Sequence, residues 1–299
     1  MSRLLQTLRG KPWAKRLGFA LFAWLVFTFA FFLTFPSDAL RDRVVREAEQ
    51  RGLKVRLESV RLAFPLGLRF QEAYLILREP DPQAQKPAVA VHLPRLTLRP
   101  SLLGLLTGKK AIAFDARIWG GKLSGSAATS DEGARIEAHL RDVDLGESLL
   151  AAIGLQIEGK VDELRLVAEG AKLSSAQGEI LLRGSDIVIR GGEVNHFSLP
   201  KVALGNLEGK IALADGSAQF ESFQAKGEDV DARVEGSIRL ADRFALSTLQ
   251  TKLMFKPSEA WWSQNEMLRA GASMLRKESD GFHAIQVHGQ LGKPRFRLN

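Results

Sequence analysis

Two different hydrophobic patterns divide the chain. From 17 to 35, nineteen successive residues carry no ionisable side chain, and a helix of that length reaches ~28 Å, the thickness of a bilayer's hydrocarbon core. From 53 onward, apolar and polar residues alternate, which predicts strands with one buried and one solvated face. Apolar residues at 36–52 recur at helical spacing instead. The pattern therefore predicts a basic stub at 1–16, a transmembrane helix at 17–35, a membrane-proximal helix at 36–52 and a β domain at 53–299.

The β domain is predicted to be mainly β: one long, twisted antiparallel sheet, groove-like or sandwich-like, with a few short helices. Its strands are separated by short glycine-bearing turns, which we expect at 120–121, 131–133, 191–192 and 215–216. Gly-Lys pairs that are each expected to begin a strand start at 121, 159 and 209. Two helical interruptions are expected, at 144–153 and 258–277.

One face of this sheet is predicted to be continuously apolar. The apolar positions chosen as its candidate members are Ile112, Phe114, Ile118, Val230, Ala232, Val234 and Ile238. The helices predicted after residue 35 cover roughly 44 of the remaining 264 residues, which is too few to shield such a face. The sheet must therefore fold on itself, meet a partner, or hold apolar ligands, with phospholipid as the candidate ligand.

A tryptophan pair opens the last predicted helix. Trp261 and Trp262 are candidates for a partner interface or an interfacial anchor, because indole rings favour half-wet sites. The alternative is that one ring lies in the core of the domain and the other at its edge.

The residues that flank the apolar stretch predict its orientation. No acid precedes Asp38, and the N-terminal side carries only cations, at Arg3, Arg9, Lys11, Lys15 and Arg16. Short flanks rich in Lys and Arg stay in the cytoplasm. We therefore expect a single-pass protein of a bacterial inner membrane, with its N-terminus cytoplasmic and its C-terminal domain periplasmic. A cleaved signal peptide is the alternative, although its apolar core should be shorter.

Charge and composition narrow the function classes. After residue 35 the chain has 37 Lys and Arg against 34 Asp and Glu, so the high isoelectric point belongs largely to the N-terminal stub. Net charge therefore gives no support to nucleic-acid binding, and no nucleic-acid partner is expected. The chain has no cysteine, which excludes disulfides and thiolate metal sites.

Sequence motifs for catalysis are absent. The chain has no Gly-x-Gly fingerprint, no phosphate-binding loop, no nucleophile elbow and no His-Glu-x-x-His pair. His283 and His288 are five apart, so in one regular strand they lie on opposite faces. We predict a non-catalytic protein without cofactor or metal.

Several short segments, taken in order, resemble the type II secretion system protein N family in its short, membrane-anchored form. That family in turn is similar to the wider AsmA-like group of envelope proteins. The segments are GLKV at 52–55, VRLAFPLGLRF at 60–70, IWGGKLSGS at 118–126, VDL at 143–145 and GQLGKPRFRL at 289–298.

The resemblance implies a non-catalytic inner-membrane component of a type II secretion machine. Its periplasmic β domain would contact other subunits of that machine. The likeness to the AsmA-like group implies the alternative, a lipid-binding or lipid-transfer protein of the cell envelope.

Overall fold

The computed structural model describes most of the β domain and parts of the N-terminal region. The described residues are 19–20, 22–23, 26, 37–50, 54–63, 67–78, 89–101, 104, 110–130, 133–146, 155–194, 197–242, 246–273, 275–291 and 293–297. Among them, no helix combines the length and apolarity that crossing a membrane requires. The predicted span at 17–35 lies mostly outside these residues. Its described residues are helical, and Phe19, Phe22 and Val26 are exposed.

An amphipathic helix, α1, lies before the sheet at Ser37–Gln50. Asp38 lies in its first turn, where a negative charge complements the helix dipole. Leu40, Val44 and Val45 lie along one side and pack on the first strands, against a cluster whose buried members are Leu57, Val60, Phe70 and Ala73. The helix therefore covers the apolar face at the beginning of the sheet.

The described part of the β domain contains sixteen strands. They are β1 Lys54–Leu62, β2 Leu68–Arg78, β3 Val89–Pro100, β4 Lys110–Ile118, β5 Gly121–Ser130, β6 Gly133–Asp144, β7 Leu155–Gly170, β8 Gln177–Val194, β9 Phe197–Leu199, β10 Val202–Ala214, β11 Ser217–Lys226, β12 Val230–Arg239, β13 Thr248–Pro257, β14 Arg276–Lys277, β15 His283–Gln290 and β16 Lys293–Arg297. The helical elements between the strands whose bounds the structure describes are a 3₁₀ turn at Leu173–Ser175, α2 at Glu259–Gln264 and α3 at Glu266–Ala272.

All sixteen strands belong to one antiparallel sheet, and from β1 to β8 each strand pairs with the next one in the chain. The path continues through β10, β11, β12, β13 and β15 to β14, while β9 pairs with β8 and β16 with β15. The prediction of a mainly β domain with one large antiparallel sheet is confirmed. Among the described residues, no second sheet is present to pack against it.

Two tight hairpin turns have left-handed backbone conformations. Trp119 and Gly120 connect β4 to β5 with φ of 47° and 73°, and Asp215 and Gly216 connect β10 to β11 with φ of 50° and 70°. Positive φ at both central residues matches the twist of the flanking strands. These turns account for the glycine signals at 120 and 216.

Other glycine signals were interpreted wrongly from the sequence. Gly191 and Gly192 lie within β8 and form no turn, and Gly159 and Gly209 lie inside β7 and β10, where each was expected to begin a strand. The space beside Gly209 is filled by the Phe223 ring, whose atoms would lie 2.6 and 2.8 Å from a Cβ at residue 209. Glycine here makes room for a cross-strand aromatic ring.

The single helix expected at 258–277 is also wrong. Asn265 has φ −134° and ψ 51°, which ends α2, and its side-chain Nδ2 donates to the Trp261 carbonyl at 2.9 Å. After α3, residues Arg276–Lys277 form β14 and pair with β15. The other helix, expected at 144–153, falls largely outside the described residues, and its first residue ends β6.

Candidate apolar binding face

Strand register brings the two groups of predicted apolar residues onto one face of the sheet. Ile112 connects to Ile238 through consecutive cross-strand partners, and partners in register share a face. The partners between them are Ala127, Ile136, Ala168, Gly178, Leu213 and Ala218. Segments more than a hundred residues apart in the sequence therefore contribute to one surface.

Two further apolar rows run beside this one. One row consists of Phe114, Gly125, Ala138, Leu166, Ile180, Ile211 and Phe220, and the other of Ala116, Leu123, Leu140, Leu164, Leu182, Gly209 and Phe223. We call these three rows the open apolar face. Because neighbouring strands are ~4.8 Å apart, the open apolar face extends about 35 Å across the sheet from β4 to β12.

Several large side chains of the open apolar face remain partly exposed to solvent. Ile112 and Ile136 are 47% and 40% exposed, and Leu164, Leu166 and Ile180 are half-buried. Large aliphatic side chains in a protein core are normally buried almost completely. An apolar surface of this length without a covering layer is typical of an interaction or ligand-binding site.

Helices cover the apolar face at both ends. Helix α1 covers it at β1 and β2, as described above. At the other end, Trp261 and Trp262 of α2 and Ala272 of α3 pack on Val230, with Phe255 of β13 beside them. Among the described residues, no helical element packs on the rows between β4 and β6, whereas Leu173 of the 3₁₀ turn packs with Leu240 against Leu213 and Ala218 of the first row. The exposed apolar stretch therefore lies between two helical caps.

The tryptophan pair lies in the interior of the domain. Trp261 and Trp262 are 8% and 7% exposed, and their rings meet edge to face with centroids 5.2 Å apart. Trp261 Nε1 donates a hydrogen bond to the Lys201 carbonyl at 3.1 Å, which ties α2 to the start of β10. Both rings are used in internal packing, so the alternative is correct in placing one ring in the core and wrong in placing the other at the edge.

The predicted apolar residues have three kinds of environment. Ile112 and Phe114 belong to the open apolar face, while Ile118 and Val230 are buried, at 8% and 6% exposure. Ala232 and Val234 are half-buried on β12, as is Ile238, the β12 member of the open apolar face. Sequence reasoning did not select the middle of the face, which β6 to β10 supply through Ile136, Leu164, Leu166, Ile180, Leu182 and Ile211. Their alternation with charged residues was the available signal.

His283 lies at the end of this face that α2 and α3 cover. Its ring is 5.7 Å from that of Phe255 and 6.0 Å from that of Trp262, and its Nδ1 is buried without a hydrogen-bond partner. Burial lowers the pKa of His283 below its usual 6.5, and the charge of Lys277 lowers it further. The lowered pKa favours the neutral imidazole, which packs with the rings of Phe255 and Trp262.

Acidification should destabilise the domain through His283. Because its folded-state pKa is below the usual 6.5, the unfolded chain takes up a proton first, and stability falls as the pH drops below about 6.5. We expect the free energy of unfolding in urea to be smaller at pH 5.5 than at pH 7.5, with a reduced difference in His283→Phe. His288→Phe, on the polar face of the same strand, should keep the wild-type difference. Equal differences in all three proteins would contradict this assignment.

The polar face of the sheet carries ion pairs between neighbouring strands. Lys210 and Glu221 lie 2.7 Å apart, and Arg190 and Glu158 lie 2.6 Å apart. Each pair lowers the pKa of its acid or raises that of its base, as for Glu158 and Lys210. In the part of the chain that the structure describes, no three His, Asp or Glu side chains converge as metal ligands would.

Comparison with known proteins adds no assignment. No protein-family model, no curated protein and no solved structure matches the chain.

Proposed function

We propose that this protein is a non-catalytic, single-pass component of a bacterial inner membrane, and that its periplasmic domain binds lipid acyl chains on the open apolar face. The observation that carries the proposal is the exposure of Ile112 and Ile136, in the part of the apolar rows from β4 to β6 that no described helical element covers. This gives the lipid-binding alternative more support than the sequence alone gave it.

Acyl chains fit the chemistry of this face. The three rows contain aliphatic and aromatic residues and glycine, with no charged or hydrogen-bonding side chain among them. Each methylene transferred from water to such a surface gains ~0.8 kcal/mol when it is fully buried. A chain lying across several strands therefore binds by additive contacts and needs no specific hydrogen bond.

The location of helix α1 connects this face with the proposed membrane anchor. Helix α1 begins at Ser37, immediately after the apolar stretch that ends at 35, and packs on the apolar face at β1 and β2. The anchored end of the sheet is thereby the end nearest the bilayer, where lipid is available. The AsmA-like resemblance of the sequence agrees with lipid handling.

A second candidate function is a structural subunit of a type II secretion machine. Its support is the resemblance of segment 60–70, which includes the end of β1 and the beginning of β2, and of segment 118–126, which includes the turn from β4 to β5. In this function the open apolar face receives an apolar segment of another secretion subunit instead of lipid. Both functions need the same surface, so the occupant distinguishes them.

Lipid analysis of the native domain tests the proposal. The full chain is expressed with a protease site between residues 35 and 37, and the domain is released from washed membranes without detergent. We expect mass spectrometry to detect phospholipid in roughly stoichiometric amount, because the apolar face is unfavourable when bare. A folded, monomeric, lipid-free domain would contradict the proposal and leave the secretion-subunit function as the better account.

Deletion of the protein tests the second candidate. A secretion subunit is expected to co-purify with other subunits of the machine, and its loss should leave secreted proteins in the periplasm. Normal secretion in the deletion strain, together with no co-purifying subunit, would argue against that function while leaving lipid binding untouched.

A further inference from the structure

A row of four cations without an ion-pair partner among the described residues crosses the polar face of the sheet. Arg95, Arg117, Lys122 and Arg141 are consecutive cross-strand partners on β3, β4, β5 and β6, and all four are exposed. Their cross-strand neighbours beyond the row are Gln71 on β2 and Glu163 on β7. We call these four residues the cationic row.

Like charges in direct cross-strand opposition destabilise a sheet, and the only acid in register with the row among the described residues is Glu163, beside Arg141. No carboxylate oxygen of the described residues lies within 4 Å of the cationic row. The nearby acid Asp115 is paired with Arg99 at 3.2 Å, and Glu163 with Arg183 at 3.9 Å. Further along the same sheet, cations do have acidic partners, as in Lys210–Glu221. The row is therefore an unbalanced charge cluster.

The surface around the row has the form of a binding site. The four cations line a depression of about 330 Å³ together with Thr97, Ser124 and Asp115, whose carboxylate pairs with Arg99, and Thr97 is 4% exposed. In the neighbouring row, the buried nitrogens Arg69 Nε and His139 Nδ1 have no hydrogen-bond partner. Arg69 Nε is an N–H donor, and an unsatisfied buried donor beside an excess of positive charge is typical of a surface that binds an anion.

The spacing of the row favours phosphate over carboxylate. Neighbouring strands are ~4.8 Å apart, so one phosphoryl group, with charge-assisted N–H···O distances of about 2.7–2.9 Å, reaches the cations of two adjacent strands. Successive carboxylates on one side of an extended peptide are ~6.6–6.8 Å apart and do not match this step. Three of the four cations are Arg, whose planar guanidinium binds phosphate through two hydrogen bonds.

We propose that the cationic row is a binding site for a phosphate-bearing anion, on the side of the sheet opposite the open apolar face. The ligand is either a phospholipid headgroup or a free phosphate compound, which present the same chemistry to the row. This inference does not depend on the proposed function, because it uses other side chains and the other face.

Calorimetric titration of the full chain in a neutral detergent at low salt tests the inference. The probes are pyrophosphate, short-chain dihexanoyl phosphatidylglycerol and hexaglutamate. We expect pyrophosphate, the phosphatidylglycerol, or both to bind more tightly than hexaglutamate. Binding of the lipid alone identifies a headgroup site, and binding of pyrophosphate alone identifies a site for free phosphate. Absence of binding by both phosphate probes, or tighter binding of hexaglutamate, would overturn the proposal.

Matched charge-removing variants separate the row from general electrostatic attraction. Arg117→Gln/Lys122→Gln should weaken binding by about tenfold for each cation removed, because each loses a charge-assisted hydrogen bond. Arg190→Gln/Lys210→Gln removes the same charge from residues with acidic partners and should change affinity less than about threefold. The row variant should melt no lower than the wild type, since it removes like-charge repulsion. Equal weakening in both variants would contradict the assignment.

Discussion

The double variant Ile112→Asp/Ile136→Asp is expected to keep its fold and to lose at least nine tenths of the lipid that co-purifies with the domain. Both side chains are already exposed, at 47% and 40%, so the carboxylates remain solvated in the unliganded protein. A bound acyl chain would bury these charges without a partner, which costs several kcal/mol. A loss of 1.4 kcal/mol already lowers affinity tenfold. The measurement is phospholipid per mole of released domain.

A charge on the opposite face is the control for this variant. Gln250 is exposed on β13 and pairs with Ser237 and His288 on the polar face. Gln250→Asp should therefore retain wild-type lipid content. Circular dichroism and melting temperature check that both variants are folded. Wild-type lipid content in a folded Ile112→Asp/Ile136→Asp protein would show that the open apolar face is not the binding surface.

Replacing Trp262 with alanine should give the largest loss of stability in the domain. The ring is 7% exposed, contacts Trp261 edge to face and helps to attach α2 and α3 to the sheet at Val230. Truncation of a buried aromatic side chain costs about 3–5 kcal/mol through lost burial and the remaining cavity. We expect this decrease in the free energy of unfolding in urea.

A milder substitution at Trp261 and a substitution at the exposed Phe296 serve as comparisons for Trp262→Ala. Trp261→Phe keeps most of the ring volume but leaves the Lys201 carbonyl without its donor, and should cost about 1–3 kcal/mol. Phe296→Ala, at a side chain that is 50% exposed, should change stability by less than about 0.5 kcal/mol. A Trp262→Ala loss as small as that of Phe296→Ala would mean that α2 and α3 do not stabilise the sheet.

The sequence predicts the sheet well because the alternation of apolar and polar residues is a local signal. Val230, Ala232, Val234 and Ile238 share one side of β12 simply because strand residues alternate. The short turns and the small helical content then favour strands that follow one another in order. None of these signals specifies which strand positions lie opposite each other.

The features that the sequence did not predict depend on strand register or on one local interaction. Ile112 and Ile238 share a face only because six residues between them form an unbroken series of cross-strand pairs from β4 to β12. The cationic row likewise takes one residue from each of four strands. Gly209 suggested a strand start, whereas its role is to accommodate the ring of Phe223 across the strand pair.

Site-specific photo-crosslinking in living cells tests the central claim most directly. A benzophenone side chain is placed at Ile136 on the open apolar face, with the exposed, neighbouring Arg135 of the polar face as control. Lipid binding predicts phospholipid adducts on the full chain at 136 and none at 135. Adducts at 136 that are exclusively protein, or equal lipid adducts at both positions, would contradict the assignment of the open apolar face as a lipid-binding surface.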